Sequence, residues 1–196
     1  SDNVSVINGA NNTVIANIPV GLNPSGAAFD SSNGYVYVTN WRSDSVSVIN
    51  GANNTVIANI PVGLNPVGAV FDSSNGYVYV TNGGSDSVSV INGATNKVIA
   101  NIPFISNPEG AVFDSSNGYV YVTNWRSYTN GGSNNVFVIN GATNRVIANI
   151  PVGWHPLGVA FDSSNGYVYV TNYVSNNVSV INGATNTVIA NIPVGS

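Results

Sequence analysis

The stretch that decides the fold is residues 29–40, which read FDSSNGYVYVTN. From Tyr35 to Thr39, valine alternates with tyrosine and threonine, which predicts a pleated strand whose two faces meet different surroundings. The preceding Asn33-Gly34 tolerates positive φ and favours a tight reversal of the chain. This segment therefore predicts a tight turn followed by a β-strand.

The same stretch returns along the chain, so the protein is built from repeats. It begins at Phe29, Phe71, Phe113 and Phe161. A second element, VSVINGA or VFVINGA, begins at Val4, Val46, Val88, Val136 and Val178. The period is 42 residues, except that an insertion around Tyr128 lengthens the third step to 48. A fixed period of roughly 40 to 45 residues is typical of propellers.

Each full unit predicts four short strands, which we name A, B, C and D in chain order. In the first full unit they cover residues 26–29, 35–39, 45–49 and 55–60. Asn50-Gly51 predicts a C–D hairpin like the A–B hairpin, and Pro61 and Pro66 bracket the crossing from D to the next A. Four antiparallel strands match one propeller blade, which buries both faces only by stacking on its neighbours.

These repeats resemble the YVTN repeat family of β-propellers. The signature YVYVTN starts at Tyr35, Tyr77, Tyr119 and Tyr167, and the resemblance covers the whole chain. It implies blades in which strand A lines a central channel and strand D is outermost. It also implies a place among surface-layer and other cell-surface proteins of archaea and bacteria. Known relatives commonly have seven blades, whereas this chain has material for about four and a half.

We therefore predict an all-β protein, a β-propeller-type array of four-stranded antiparallel blades. The array covers residues 1–196, with a half blade at 1–21 and blades at 22–63, 64–105, 106–153 and 154–196. One C–D hairpin is left over, and its C strand has an unpaired edge that can pair with another chain. Three arrangements fit: a fragment of a longer array, an open assembly completed by a neighbouring chain, or a small closed ring with a spare hairpin.

Composition excludes several classes of partner. Only 6% of the residues are charged, four are basic, and the net charge is −4. Nucleic-acid binding and attachment to anionic membranes both need clustered Lys and Arg, so we expect neither. No apolar run approaches the roughly 20 residues of a membrane span. There is no cysteine, so disulfides and thiolate metal sites are excluded, and the neutral amides favour an extracellular setting.

The links between D and A and between B and C are expected to share one face, and they vary most from unit to unit. Aromatic residues and Arg are enriched at recognition surfaces. The alternative is that each aromatic side chain only covers the adjoining blade edge. The candidate binding residues are Trp41, Arg42, Trp125, Arg126, Tyr128, Trp154, His155 and Tyr173.

No catalytic or metal-binding set emerges from the sequence. His155 is the only histidine, and no acidic cluster lies near it. Asp30 recurs once per unit at the start of the A–B turn, where a carboxylate accepts hydrogen bonds from backbone N–H groups. A calcium loop needs several carboxylate or carbonyl ligands, and one Asp with Ser and Asn supplies too few. Glu109 is the one acidic residue placed differently. Propeller enzymes such as lactonases gather several polar or metal-binding groups at the channel mouth, so we expect no enzyme, no cofactor and no metal.

The leading hypothesis is a non-enzymatic structural or adhesive protein of the cell surface or extracellular space. Its copies would assemble with one another in a surface layer or filament. The alternative is a carbohydrate- or protein-binding propeller module that uses the aromatic loop face.

Overall fold

Strands form wherever Val, Ile and Tyr alternate with small polar residues, and turns form at the intervening Asn and Gly. The computed structural model describes residues 1–103, 107–125 and 134–195. Within these ranges all regular structure is β-strand, and no helix is long and apolar enough to cross a membrane. The all-β class and the repeated four-stranded antiparallel sheets are confirmed.

The strands group into one two-stranded and four four-stranded sheets, which we call the first hairpin and blades 1 to 4. The first hairpin contains β1 (Asn3–Asn8) and β2 (Thr13–Pro19). Blade 1 contains β3 (Pro24–Asp30), β4 (Tyr35–Asn40), β5 (Ser45–Asn50) and β6 (Thr55–Pro61). Blade 2 contains β7 (Pro66–Asp72), β8 (Tyr77–Asn82), β9 (Ser87–Asn92) and β10 (Lys97–Pro103). Blade 3 contains β11 (Pro108–Asp114), β12 (Tyr119–Asn124), β13 (Asn135–Asn140) and β14 (Arg145–Pro151). Blade 4 contains β15 (Pro156–Asp162), β16 (Tyr167–Asn172), β17 (Asn177–Asn182) and β18 (Thr187–Pro193).

Strand A is longer than the sequence predicts. In blade 1 it was expected at residues 26–29 but runs over Pro24–Asp30. Pro24 is the first residue of the strand, a position where its missing N–H does no harm. Asp30 ends the strand and accepts the backbone N–H of Ser32 at 2.9 Å. This contact supports the structural role expected of the repeated aspartate.

The two kinds of hairpin turn reach positive φ at different residues. In the A–B turn Gly34 has φ 77°, as its position after Asn33 suggests. In the C–D turn the left-handed residue is Asn54 (φ 57°), at the end of the turn, and not Gly51. The N–H of Gly51 donates to the carbonyl of Gly34 at 3.1 Å, and glycine is needed there because a Cβ would approach that oxygen to 2.8 Å. This contact ties the two turns of one blade together.

The core lies between consecutive blades. We call the side of a blade that faces the next blade along the chain its forward face, and the opposite side its rear face. Between blades 1 and 2, Tyr37 and Val48 on the forward face of blade 1 pack with Val78 and Ile91 on the rear face of blade 2. The same packing recurs between blades 2 and 3 and between blades 3 and 4. Ile18 of the first hairpin packs on Val38 and Ile49 at the rear of blade 1.

The innermost strands approach so closely that a glycine is required at each interface. A Cβ on Gly26 would lie 2.5 Å from the carbonyl oxygen of Val67 in blade 2. The corresponding distances are 2.7 Å from Gly68 to the oxygen of Glu109 and 2.5 Å from Gly110 to that of Leu157. A backbone oxygen cannot move aside as the end of a side chain can. The A strands can therefore stack only where this position has no side chain.

Replacing Gly68 tests this close approach. We expect Gly68→Ala to lower the free energy of unfolding by about 1 to 3 kcal/mol, because blades 2 and 3 must move apart. Gly9→Ala is the control, since no atom lies within 4 Å of a Cβ built there. Urea unfolding in dilute solution measures both variants. Equal stability of the two would contradict the predicted clash.

Candidate functional site

One polar contact joins each blade to the next. The hydroxyl of Tyr37 in blade 1 donates to Oδ1 of Asn96 in the C–D turn of blade 2 at 2.7 Å. Nearby, Nδ2 of Asn33 donates to the carbonyl of Gly93 in the same turn at 3.2 Å. The turn motif Asn-Gly-Ala-x-Asn thus fits a receptor made of the A–B turn and the strand B tyrosine. The same bond joins Tyr79 to Asn144 and Tyr121 to Asn186, each at 2.7 Å.

A second contact joins the inner strands. The hydroxyl of Thr39 in strand B donates to the carbonyl of Val67 in the next strand A at 2.8 Å. Thr81 and Thr123 make the same bond to Glu109 and Leu157, at 2.6 and 2.8 Å. All three threonines are fully buried. Each complete interface therefore has an inner threonine bond and an outer tyrosine bond.

The forward face of blade 4 carries these donors without a described neighbour. Tyr169 is half-buried, and its hydroxyl is 3.1 Å from Nδ2 of Asn165 in its own blade. Thr171 is exposed, although its three counterparts are buried. Ile192 is 46% exposed, whereas the equivalent Ile60 is 5% exposed. This face has the composition of a blade interface and is open to solvent.

The other end of the array exposes the complementary half. Phe29 on the rear face of blade 1 is 60% exposed, and Ile7 and Val14 of the first hairpin are 62% and 56% exposed. The C–D turns that contain Gly9 and Gly51 are exposed, whereas Gly93 in blade 2 is buried. The outer edge of β1 pairs with no strand among the described residues, as the sequence predicted. This end therefore offers turns, apolar side chains and a strand edge.

The aromatic candidates lie on the rim formed by the D-to-A and B-to-C links. Backbone bonds join these links, from the N–H of Trp41 to the carbonyl of Asn23 and from Tyr173 to His155, each at 2.9 Å. The two kinds of link therefore share one rim, as expected. Trp41 is 39% exposed, and the guanidinium of Arg42 lies 6.0 Å from its ring centroid.

A second aromatic group brings together residues of blades 3 and 4. The ring of His155 stacks on Trp125 at 4.3 Å between centroids and meets Tyr173 edge-on at 5.4 Å. Trp154, beside His155 in sequence, is 59% exposed. Arg126 and Tyr128 lie outside the described residues. The structure thus groups Trp125, His155 and Tyr173 and leaves Trp41 with Arg42 as a separate pair.

The titratable groups on this rim have environments suited to packing. Burial lowers the pKa of His155, which favours the neutral imidazole. Burial raises the pKa of Glu109, while a hydrogen bond from Asn107 Nδ2 at 3.3 Å acts in the opposite direction. No group of three His, Cys, Asp or Glu residues that could hold a metal occurs in the described part of the chain.

The end faces contain functional candidates that the sequence interpretation did not select. It selected loop residues that vary between units, whereas Tyr169, Thr171 and Asn54 are the same in every full unit. These residues could have been found in the sequence, because each recurs at the same position in every full unit, including the first and the last. Among the described residues, the contact that is repeated between blades has one unmatched half at each end of the array.

The solved structures similar to this chain have β-propeller-like folds. Hydrazine synthase of Kuenenia stuttgartiensis is 19% identical, with a TM-score of 0.56 over 99% of this chain and 81% of that chain. A protein of unknown function from Desulfotomaculum acetoxidans DSM 771 is 14% identical, with a TM-score of 0.78 over 97% of this chain and 64% of that one. Dihydro-heme d1 dehydrogenase NirN is 16% identical, with a TM-score of 0.79 over the full length of this chain and 42% of that chain.

At these identities the likeness shows the fold alone. This chain spans less than two thirds of the length of the Desulfotomaculum acetoxidans protein and of NirN. No family model and no curated protein matches the sequence. The comparisons therefore establish a propeller-like array of blades, and function has to be argued from the residues at its ends and rim.

The buried tyrosines give the interfaces a pH dependence. Burial raises the pKa of Tyr37, Tyr79 and Tyr121 to about 12, against an opposing hydrogen bond from the neighbouring Asn. Because an unfolded tyrosine ionises near pH 10, their stabilising effect is complete below about pH 10 and is lost as pH rises towards 12. We expect these three tyrosines to ionise only well above pH 10, as the sheets unfold.

A pH titration tests this expectation. Tyrosinate absorbance and circular dichroism follow ionisation and unfolding, and Tyr79→Phe should remove one of the tyrosines that ionise well above pH 10. A single ionisation near pH 10 with intact sheets would contradict it.

Proposed function

We propose that this chain is a member of the YVTN repeat family and a non-enzymatic structural or adhesive protein of the cell surface or extracellular space. Its copies join through the ends of the blade array and build a surface layer or filament. One observation carries the proposal. The two ends expose complementary halves of the contact that joins the internal blades.

The end faces are also apolar, which favours association. A repeat array normally needs terminal units with a polar outer face. Here one end presents Ile7, Val14 and Phe29, and the other presents Ile192. Complete burial of one such side chain contributes about 1.5 to 3 kcal/mol. Exposed apolar side chains that gather on one face are typical of interaction sites.

The two ends differ from each other, so the expected contact is head to tail. Such a heterologous contact gives a ring if its rotation closes and a filament if it does not. Only 6% of the residues are charged, so copies approach with little electrostatic repulsion. A head-to-tail contact between open arrays therefore fits a surface layer or a filament.

A non-enzymatic role fits the environments of the two residues that looked most suited to chemistry. His155 packs between the rings of Trp125 and Tyr173, and Glu109 is partnered by Asn107. A general acid or base needs a second polar group within hydrogen-bond reach of a reacting atom. Packing and local hydrogen bonding account for both side chains.

A charge on the forward face of blade 4 tests the proposal. We expect Tyr169→Lys to abolish oligomers that the wild-type chain forms at high concentration, because a lysine there would be buried in the joint without a partner. Tyr173→Lys is the matched control, since Tyr173 is 69% exposed on the rim. Light scattering and negative-stain images over a concentration series measure assembly. A wild-type chain that stays monomeric at high concentration would refute self-assembly.

A second candidate function rests on the aromatic group of blades 3 and 4. Trp125, His155 and Tyr173 make a preformed cluster, and the exposed Trp154 directly precedes His155 in the sequence. Rigid aromatic side chains bind with little loss of conformational entropy. This cluster suits stacking against a neutral sugar ring, so the candidate is a carbohydrate-binding module.

Trp125→Ala tests the carbohydrate-binding candidate. We expect it to weaken binding to a neutral oligosaccharide at least tenfold, because Trp125 supplies the stacked ring of the cluster. Trp41→Ala, in the separate pair of blade 1, should leave the affinity unchanged. Calorimetry with a panel of neutral oligosaccharides measures both. Silence across the panel, or binding indifferent to Trp125→Ala, would remove this candidate.

A further inference from the structure

We propose that copies are joined by strand exchange. In this joint the first hairpin of one copy displaces β17 and β18 of another copy and pairs with its β16. The inference rests on the proposed function, because it specifies how two copies of this chain bind. It places blade 1 of the second copy directly against β15 and β16 of the first.

The exchanged hairpins are interchangeable in sequence. Residues 3–21 and 177–195 differ at one position only, where Asn11 corresponds to Thr185. In the chain itself, β16 pairs with β17 from Tyr167 opposite Asn182 to Asn172 opposite Asn177. β1 offers the same residues in the same order, from Asn8 to Asn3. Replacement of one hairpin by the other therefore leaves the β-ladder unchanged.

A buried polar ladder shows what the first hairpin lacks. In blade 4, Nδ2 of Asn172 donates to Ser179 at 2.9 Å, and Ser179 donates to Asn191 at 2.7 Å. In the first hairpin, Ser5 already donates to Asn17 at 2.7 Å. In the described part of the chain, the sheet of this hairpin contains no strand B that could supply the first asparagine. Exchange brings Ser5 of the second copy opposite Asn172 and completes the ladder.

The turn of the first hairpin fits the receptor on blade 3. At present Tyr121 donates to Asn186 at 2.7 Å and Asn117 donates to the carbonyl of Gly183 at 3.1 Å. Asn12 is equivalent to Asn186 and has the same left-handed conformation, with φ 56° against 53°. After exchange Tyr121 donates to Asn12 of the second copy. The outer contact between blades 3 and 4 is thus retained.

The gain comes from the inner half of the new joint. Blade 1 of the second copy takes the place that blade 2 has beside blade 1. Thr171 then donates to the carbonyl of Ser25, as Thr39 does to Val67, and Tyr169 donates to Asn54. Phe29, which is 60% exposed, becomes covered as its partly buried counterpart Phe71 is.

Simple stacking of the first hairpin on blade 4 satisfies fewer of these groups. The hairpin has no A and B strands, so a space the size of one A–B hairpin would separate Thr171 from blade 1 of the second copy. Phe29 and the edge of β1 would stay exposed. Release of the β17–β18 hairpin exposes Ser179, Val180 and Ile181 of β17, which are buried, and the incoming Ser5, Val6 and Ile7 take their places; most of β18 is already exposed. The structure therefore favours exchange over stacking.

Engineered cysteines test the exchanged register, because the chain has none of its own. Directly opposed residues on neighbouring strands lie within disulfide reach. Exchange places residue 8 of one copy opposite residue 167 of another, so N8C with Y167C should give covalent dimers and longer multimers on oxidation. Non-reducing gels and mass measurement detect them. The matched pair N182C with Y167C should close within one chain.

The outcomes separate the mechanism from the function. Multimers from the first pair that disappear with Tyr169→Lys support exchange. Assembly seen by light scattering with no cross-link between residues 8 and 167 overturns exchange and leaves self-assembly intact. Absence of assembly from both the wild-type and the cysteine variants overturns both. The single variant N8C is the control for disulfides between two copies of residue 8, because one cysteine per chain can link only two chains.

Two glycine variants provide a test without cross-linking. Both replace a left-handed asparagine, so glycine keeps the backbone conformation. Asn54→Gly removes the new acceptor for Tyr169 and should raise the assembly concentration about fivefold, the effect of one hydrogen bond. Asn186→Gly loosens the hairpin that must leave, and should lower that concentration by a similar factor. Simple stacking leaves both values unchanged, so that result would overturn exchange.

Discussion

The hydrogen bond from a strand B tyrosine to the next C–D turn is the contact on which the array depends. A four-stranded sheet has two faces and can bury both only between neighbours. The bond from Tyr37 to Asn96 fixes the outer distance between blades, and Thr39 with the adjacent Gly26 fixes the inner one. Tilt and spacing are therefore set by backbone carbonyls and turn asparagines, while Val and Ile fill the volume between. A protein with so few charged residues obtains its specificity from these buried neutral hydrogen bonds.

The sequence predicted the fold well because the same pattern of strands and turns occurs in all four full units. Alternation at residues 35–39 and the turn asparagines gave the strand type, and the period gave the blade. Errors occurred where tertiary contacts override local preference. Asn50-Gly51 predicted the C–D turn by analogy with the A–B turn, but the residue with positive φ there is Asn54, since Gly51 serves the close approach to the Gly34 carbonyl. Strand A was predicted too short, because Pro24 and Asp30 are poor strand formers held by their position in the blade.

The sequence predicted the unpaired edge of the left-over hairpin, but the side chains of the candidate site were harder to predict because they were sought where the repeats vary. The clustering of Trp125, His155 and Tyr173 depends on which links become neighbours on the rim, and only the stacking of blades 3 and 4 brings these three together. The end faces involve residues that are identical in every unit, so variation gives no signal there. What distinguishes Tyr169 from Tyr121 is its exposed environment, and exposure follows from position in the array.

The same reasoning explains how one sequence motif can be both core and interface. Tyr121 and Tyr169 have the same neighbours along the chain, yet the first is fully buried and the second is half-buried. In a repeat array the energy of each interface is nearly the same from one neighbour pair to the next. A joint between copies that reproduces an internal interface therefore needs no additional recognition residues. The contact that holds two blades of one chain together also suffices to specify the position and orientation of the next chain.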